Sequence, residues 1–449
     1  MKTQKSSLKQ RFSEPLSRIS TWLIPGIGVK RWLILIFLGI TMLAVGVGFV
    51  LLDIYHSADV PWWANILAVL ALRFLPRWAR IVIFVSLGLG TLAFGIWELN
   101  RSLIRPFMRP GDRLTDALRE HRQKERGPRI VAIGGGHGLA TLLRGLKEYS
   151  KNITAIVTVA DDGGSSGRLR REVGILPPGD IRNCLAALAN DEALLGQLFQ
   201  YRFPEGDAGL DGHTFGNLFI TAMAEVTGSF EEAVAESGRV LAVHGRVLPS
   251  TLHDVYLSAD VMLPQAVMEV RVQGESQIPK SNGKVRHVWL EPNNPPAYPE
   301  SIQAILAADL IVIGPGSLYT SILPNLLVPD LVEAVRASRA LKIMVCNVAT
   351  QRGETDGYTC GDHLRVVEEH VGKGVFNLAV VNQVSQENAP PARLSDGVEW
   401  VRIEDDLEED YAIYRADLTD ELYPWRHDSR KLARVIIDLL QEKTGPLVE

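Results

Sequence analysis

Two adjacent aspartates follow an apolar run and open a loop of glycine and serine. The stretch is "IVTVADDGGSSGRLRREVGILPPGDIRN", residues 156–183, and it contains Asp161, Asp162 and Asp180. Carboxylates are suitable ligands for Mg²⁺, and the N–H groups of such a loop can face an anion. The simpler alternatives are a capped turn at the first two aspartates and a helix N-cap at Asp180. Carboxylates, flexible backbone and arginines together predict a phosphate and metal corner.

Glycine-rich loops follow two further apolar runs. The first, in "AIGGGHGLATLLRGL", contains Gly134, Gly135, Gly136 and Gly138. Glycines before a helix allow close approach to a phosphate, although a tight turn is the alternative and Thr141 breaks a strict GxGxxG pattern. The second loop, residues 313–325, offers the hydroxyls of Ser317 and Thr320. Two such loops on one sheet predict a ligand across its carboxyl edge.

These loops join segments that alternate between strand and helix patterns. "RIVAI", "LATLLRGLKEYS" and "NITAIVTVA" read as strand, helix and strand, and "ADLIVI", "ALKIMV" and "FNLAVV" continue the alternation. The pattern predicts an α/β domain over residues 129–449, with a doubly wound, Rossmann-like, mostly parallel sheet. A β-rich insertion is expected near residues 255–290. The loops "GHTFGN" and "ATQRGETDGY" are more polar than a connection requires.

The N-terminal quarter has the pattern of a membrane hairpin, residues 32–97. Residues 32–52 carry no charge, and a second predicted span covers about residues 79–97. Arginines and lysines flank both outer ends, so the positive-inside rule places both in the cytoplasm. The prediction is a multi-pass protein of the inner membrane with its main domain in the cytoplasm. The segment 62–72 is expected at the membrane interface, and the alternative is a buried helical hairpin of a soluble protein.

Charge is unevenly distributed along the chain. Residues 1–31 form a basic, cytoplasmic N-terminus, residues 98–128 a basic juxtamembrane linker or spacer helix, and residues 130–449 carry a net charge of −16. Such an acidic body argues against nucleic acid as a partner. The three cysteines form no CxxC pair and are expected to be reduced thiols, and no zinc signature such as HExxH is present.

Taken together, the motifs resemble one family, the YvcK-type gluconeogenesis factors of the CofD-like superfamily. That superfamily is named after the 2-phospho-L-lactate transferase of deazaflavin cofactor synthesis. The matching stretches are "AIGGGHGL", the long motif of residues 156–189, "LFQYRF", "GHTFGNLF", "VLPST", "GES", "GPGSLYTSILPNLLV" and "CNVATQRGETDGY". The resemblance covers residues 129–441, and the compact soluble members lack the membrane hairpin.

The resemblance implies binding of a nucleotide sugar, UDP-N-acetylglucosamine in particular. It also implies a regulatory role in cell shape and envelope synthesis during growth on gluconeogenic carbon sources. Envelope-synthesis proteins are then expected partners, and a homodimer is left open. The residues expected to bind the ligand are Gly134, Gly135, Gly136, His137, Gly138, Asp161, Asp162, Gly163, Gly164, Ser165, Asn183, Asn217, Gly314, Gly316, Ser317, Thr320, Asn347 and Thr350.

A second hypothesis is a metal-dependent phosphotransferase. The aspartates that match Asp162 and Asp180 in the transferase branch look like Mg²⁺ ligands, and charge stabilisation by the ion would assist transfer. The chain departs from the family pattern at two positions, with His137 in place of an expected Thr and Arg352 in place of an expected Pro. Either departure could alter the choice of ligand.

Overall fold

The computed structural model describes residues 30–55, 75–104 and 127–444, except 190–193, 195, 205, 207–208, 264–267 and 384–397. The chain forms two compact units, Met1–Leu118 and Arg119–Glu449. Most of the predicted basic N-terminus, the predicted interface segment 62–72 and residues 105–126 of the predicted linker lie outside the described residues.

Two long helices make up the described part of the first unit. Helix α1 covers Lys30–Tyr55 and α2 covers Arg77–Ile104. They pack antiparallel through glycines: a Cβ atom on Gly39 would lie 2.9 Å from the backbone N of Leu92, and one on Gly95 would lie 2.9 Å from Ile36. Small residues at a helix–helix contact allow the two backbones to approach closely.

Among the described residues, one helix is long and apolar enough to cross a membrane. This stretch, Val82–Leu99, lies in α2, whereas α1 contains the shorter apolar stretch Ile34–Val45. The apolar side chains of Val82–Leu99 are mostly exposed, whereas the core helix of a soluble protein would bury them. The predicted linker in fact begins inside α2, because the helix continues to Ile104. The first predicted span, residues 32–52, is not confirmed, and the two-span hairpin remains a prediction.

A charge on the exposed face of α2 tests the membrane assignment. Leu89 and Phe94 are 53% and 47% exposed, and an arginine near the centre of a span costs about 3 kcal/mol. We expect Leu89→Arg combined with Phe94→Arg to release the full chain from the membrane fraction after alkaline extraction. Trp78→Arg, outside the apolar stretch, is the control and should remain bound. Retention of the double variant would contradict a spanning α2.

The second unit is built on a parallel sheet, as the alternation predicted. Within the described residues it has seven strands in the order β10-β9-β8-β7-β1-β2-β3, and every neighbouring pair is parallel. A three-stranded antiparallel sheet, β5-β4-β6, lies in the region of the expected β-rich insertion. The strands are β1 Ile130–Gly134, β2 Ile153–Val157, β3 Arg246–Pro249, β4 Tyr256–Met262, β5 Val270–Gln273, β6 Lys284–Glu291, β7 Leu310–Ile313, β8 Leu341–Val345, β9 Leu378–Asn382 and β10 Ile413–Ala416.

Helices cover both faces of the large sheet. They are α3 Gly136–Leu146, α4 Gly164–Val173, α5 Gly179–Leu188, α6 Gln197–Gln200, α7 Phe215–Thr227, α8 Phe230–Val240, α9 Pro299–Ala307, α10 Leu323–Leu326, α11 Pro329–Ala337, α12 Cys360–Val371, α13 Leu407–Asp410 and α14 Ser429–Thr444. A 3₁₀ turn, Pro279–Ser281, and a π-helical turn, Leu318–Ile322, complete the unit.

The core lies on both sides of the sheet, which is what a doubly wound fold requires. Along β1, Val131 and Ile133 pack into one apolar cluster, whereas Ile130 and Ala132 pack into the other. All residues of β1 and β2 are buried, as expected for strands covered on both faces. The strand order reverses between β1 and β7, so this switch point is where such a sheet binds ligands.

Candidate functional site

The loops that follow β1 and β7 pack directly against each other. A Cβ atom on Gly138 would lie 2.5 Å from the carbonyl oxygen of Pro315, so only glycine fits there. Asn325 Nδ2 donates to the carbonyl of Gly134 at 2.9 Å. Asn347 exchanges two hydrogen bonds with the backbone of Gly316, at 3.2 and 2.7 Å. The two predicted glycine loops therefore form one surface at the switch point.

The N-terminal turns of four helices meet beside this surface. The N–H of Gly136 in α3 donates to the carboxyl of Asp180 in α5. A Cβ atom on Gly179 of α5 would lie 2.4 Å from Ser166 Oγ in α4. Asn217 of α7 donates from Nδ2 to Ser165 Oγ at 3.1 Å. We call the first turns of α3, α4, α5 and α7 the helix-terminus cluster; their N–H groups and partial positive charges favour a bound anion.

The predicted aspartates lie at this cluster, and their environments differ. Asp161 Oδ1 accepts from the N–H of Gly163 at 2.8 Å, as the capped-turn alternative requires. Asp162 Oδ1 accepts from the N–H of Ser276 at 2.8 Å. Asp180 does not cap its helix, since α5 has Pro178 at the N-cap and no side-chain cap. Burial, with the nearby charge of Asp161, raises the pKa of Asp180 to about 7.

Two further carboxylates belong to the site and were not predicted. Burial and the charges of Asp161 and Asp180 raise the pKa of Glu275 well above its usual range. Burial raises the pKa of Glu354 to about 7, although Thr320 Oγ1 donates to its Oε1 at 3.2 Å. Their Oε2 atoms are buried without a partner in the described part of the chain. Both residues occur in motifs that carried the resemblance, "GES" and "TQRGETDGY", which was the available signal.

Among the described residues, no three His, Cys, Asp or Glu side chains are close enough to enclose a metal ion. Carboxylate oxygens are nevertheless the donors that Mg²⁺ prefers, and Mg²⁺ is usually held by one or two carboxylates, water and substrate phosphate. The unpartnered oxygens of Glu275 and Glu354 fit such an ion. The donor set therefore suits Mg²⁺ bound together with a phosphate.

Basic side chains also lie at the helix-terminus cluster. Arg182 of α5 is 7% exposed, and its Nε is buried without a partner in the described residues. The Nη2 of Arg182 donates to Asn183 Oδ1 at 2.8 Å. Burial, and then the charge of the nearby Arg202, lower the pKa of Arg182. Partial burial and the charges of Arg426, Arg182 and Arg144 lower the pKa of His137. A neutral His137 at an electropositive helix start is compatible with an anionic ligand.

Most predicted residues line the two loops and the helix-terminus cluster. Gly134, Gly135, Gly136, His137 and Gly138 lie at the start of α3; Asp161, Asp162, Gly163, Gly164 and Ser165 precede or open α4; Asn183 and Asn217 lie in α5 and α7; Gly314, Gly316, Ser317 and Thr320 follow β7; Asn347 and Thr350 follow β8. Thr350 differs from the other predicted residues, because its hydroxyl accepts from the N–H of Glu399 and so holds the segment at Glu399. Arg352 is exposed.

Comparison with known proteins identifies the family. A family model described as "2-phospho-L-lactate transferase CofD" matches residues 130–419, which include both glycine loops and the carboxylates. The chain belongs to the CofD family. Within it, the relatives carry the name gluconeogenesis factor, as the motifs predicted.

Relatives divide by how much of the chain they match. The "Putative gluconeogenesis factor" of Nostoc sp. is 50% identical over 84% of this chain and 82% of its own length. The "Gluconeogenesis factor" of Bacillus subtilis is 46% identical over 70% of this chain and 99% of its own. A crystal structure of a Bacillus halodurans protein superposes with a TM-score of 0.64 at 43% identity, over 69% of this chain and 99% of that one. The α/β unit is thus the part that compact family members share.

The tight contact between the two glycine loops predicts unequal effects of adding a methyl group. Gly138→Ala places Cβ 2.5 Å from Pro315 O, whereas Gly134→Ala meets nothing nearer than 3.8 Å. We expect Gly138→Ala to lower the free energy of unfolding by about 1–3 kcal/mol and Gly134→Ala to have a much smaller effect. Denaturant titration of both variants measures the difference. Equal stabilities would contradict the packed loops.

The raised pKa of Asp180 predicts a pH-dependent gain of stability on its removal. Its pKa is about 7 in the folded state against 3.8 as the reference, so the unfolded chain loses this proton first and stability falls as pH rises from about 4 to 7. Asp180→Asn removes that loss. We expect the difference in the free energy of unfolding between the variant and the wild type to be about 1–3 kcal/mol more favourable to the variant at pH 8 than at pH 4. Urea titration at several pH values measures this. Asp438→Asn, exposed in α14, is the control, and parallel pH profiles for Asp180→Asn and wild type would contradict the assignment.

Proposed function

We propose that this protein binds a nucleotide sugar, UDP-N-acetylglucosamine in particular, at the helix-terminus cluster. One observation supports the proposal: four helix N-termini meet at the buried Arg182. The two glycine loops lie beside them, packed so closely that Gly138 has no room for a side chain. Backbone N–H groups and a guanidinium are the groups that proteins use for a diphosphate. The predicted loop residues, among them Ser317 and Thr320, would then contact the phosphate or sugar oxygens.

Mg²⁺ would bind with the diphosphate rather than alone. Asp162 and Asp180 are the proposed ligands, and Glu275, whose carboxyl interacts electrostatically with both and keeps a free Oε2 among the described residues, would offer a further oxygen. When bound, Mg²⁺ neutralises phosphate charge and the crowded carboxylates together. The chain's own residues orient the ligand: Gly136 and Ser276 hold the two aspartates through backbone N–H groups.

We propose a regulatory rather than a catalytic role, which the name gluconeogenesis factor, carried by the relatives, supports. We propose that ligand binding reports the supply of nucleotide sugar and controls envelope synthesis and cell shape under gluconeogenic growth. The N-terminal helices would hold the acidic α/β unit at the cytoplasmic face of the inner membrane. Tethering raises the local concentration near membrane-bound envelope enzymes, which are the proposed partners. A homodimer would raise it further.

A second candidate is a Mg²⁺-dependent phosphotransferase of the 2-phospho-L-lactate transferase type. The match to the transferase family model and the buried carboxylates with raised pKa favour it. Such a site could stabilise the charge that develops when a phosphoanhydride is cleaved. Incubation of the full chain with UDP-N-acetylglucosamine, Mg²⁺ and a deazaflavin alcohol as acceptor, followed by phosphorus NMR, decides. Attack of the acceptor hydroxyl on the phosphoanhydride would release UMP and form a phosphodiester; such turnover, abolished by Asp162→Asn, supports transfer, and unchanged nucleotide supports regulation.

Removal of the buried guanidinium tests the binding proposal. Calorimetry of the full chain with UDP-N-acetylglucosamine and Mg²⁺ should give saturable binding. Arg182→Met, which keeps the aliphatic stem, should weaken it by about 10- to 100-fold, because a charge-assisted hydrogen bond contributes about 1.5–3 kcal/mol. Arg415→Met, exposed on β10, is the control. Absence of binding by the wild type, or equal affinity of Arg182→Met, would contradict the proposal.

A further inference from the structure

Ser165, in the first turn of α4, is surrounded by hydrogen-bond donors. The residue is 5% exposed. Asn217 Nδ2 donates to its Oγ at 3.1 Å, the N–H of Thr214 lies 3.4 Å away, and His213 Nδ1 lies at 3.0 Å. The directions of these hydrogen bonds determine what the Ser165 hydroxyl can offer a ligand.

The orientation of the Asn217 amide is set by a neighbouring serine. Ser166 donates its hydroxyl hydrogen to the carboxyl of Asp161. Ser166 Oγ must therefore accept from Asn217, whose Nδ2 lies 3.4 Å away. With Nδ2 directed at both serines, Asn217 Oδ1 points elsewhere, and it is buried without a partner in the described part of the chain. Asn217 itself is 2% exposed.

The tautomer of His213 is set by an arginine. Arg168 Nε, which always carries its hydrogen, donates to His213 Nε2 at 3.3 Å. Nε2 must therefore be unprotonated, and the neutral ring carries its hydrogen on Nδ1. His213 consequently donates to Ser165 Oγ and cannot accept from it. A role for His213 as a base that activates Ser165 is excluded by the same argument.

We propose that Ser165 and Asn217 form a paired donor and acceptor subsite for an alcohol hydroxyl of the ligand's sugar, and that His213 is the positioning residue that keeps Ser165 a donor. Ser165 Oγ accepts from Asn217, from His213 and, over a longer distance, from the N–H of Thr214, and its hydrogen has no acceptor among the described residues. The subsite thus presents one free hydrogen and one free acceptor, Asn217 Oδ1. This inference rests on the proposed nucleotide-sugar binding and deepens it.

The paired arrangement selects a hydroxyl over a phosphate. A fully ionised phosphate oxygen accepts hydrogen bonds and donates none, so it would leave Asn217 Oδ1 buried and unsatisfied. An alcohol accepts from Ser165 and donates to Asn217 with the same oxygen. The hydrogen bonds from Ser166 to Asp161 and from Asn217 to both serines join the subsite to the carboxylates.

Three variants of the full chain separate positioning from packing. His213→Asn keeps an N–H donor near the position of Nδ1, whereas His213→Asp puts an acceptor there that draws the Ser165 hydrogen inward. Ser165→Ala removes the hydroxyl. Calorimetry with Mg²⁺ compares UDP-N-acetylglucosamine with UDP, which lacks the pendant sugar, and thermal unfolding confirms that each variant is folded.

We expect His213→Asp and Ser165→Ala to weaken UDP-N-acetylglucosamine binding at least tenfold and UDP binding less than threefold. His213→Asn should remain within threefold of wild type for both ligands, and the double variant Ser165→Ala/His213→Asp should be no weaker than Ser165→Ala. Equal losses for UDP would overturn the subsite, since they would show an electrostatic or structural effect. If the wild type binds neither ligand, the proposed function itself is wrong.

Nitrogen-15 NMR of histidine-labelled wild-type protein tests the positioning role without any change at the site. The resonances of His213, assigned by their loss in His213→Asn, should show a protonated Nδ1 and an unprotonated Nε2. A hydrogen on Nε2 would overturn the inference, because Ser165 would then donate to the ring and not to the ligand.

Discussion

The carboxyl ends of β1 and β7 lie side by side where the strand order reverses, and the two loops that leave them pack backbone against backbone at Gly138 and Pro315. This contact determines where α3 begins and which way its first N–H groups point. Gly136, with a φ of +61°, then presents its N–H to Asp180 and so joins α3 to α5. The remaining contacts of the helix-terminus cluster join α4 to α5 and α7 to α4.

The helix-terminus cluster combines groups that favour an anion with groups that become anionic themselves. Helix N-termini and Arg182 favour an anion, while the carboxylates raise each other's pKa and resist ionising together in a buried space. In the absence of ligands this arrangement lowers stability, as expected of sites that bind charged groups. The proposed diphosphate with its cation would satisfy both sets of groups at once, and neither set alone explains why the other is buried beside it.

The two units differ in how widely the family shares them. The B. subtilis relative matches over 99% of its own length but 70% of this chain, so the α/β unit is sufficient for a family member. The Nostoc relative extends the match to 84% of this chain. The N-terminal helices, which pack through Gly39 and Gly95, are thus an addition to a complete fold. Under the proposed tether, such an addition would change where the site acts and leave its chemistry to the α/β unit.

Local pattern determined much of the architecture. Short β-branched runs followed by glycine specify β1, β7 and the turns after them, because backbone preferences and the need to bury both strand faces act over a few residues. The same pattern located Asp161, Asp162 and the glycine loops, and the motif resemblance supplied the family. The local pattern also left two interpretations of Asp180 open, a helix cap or a site carboxylate.

The tertiary structure excluded the helix cap. Asp180 accepts from Gly136, 44 positions earlier in the chain, and does not cap its own helix. Glu275, Arg182 and the His213 tautomer likewise depend on partners far away in sequence, which no periodicity records. Burial, pKa and hydrogen-bond direction are properties of the packed neighbourhood. The sequence alone therefore identified the loops and the aspartates, and long-range packing decided which groups became charged, buried or free to meet a ligand.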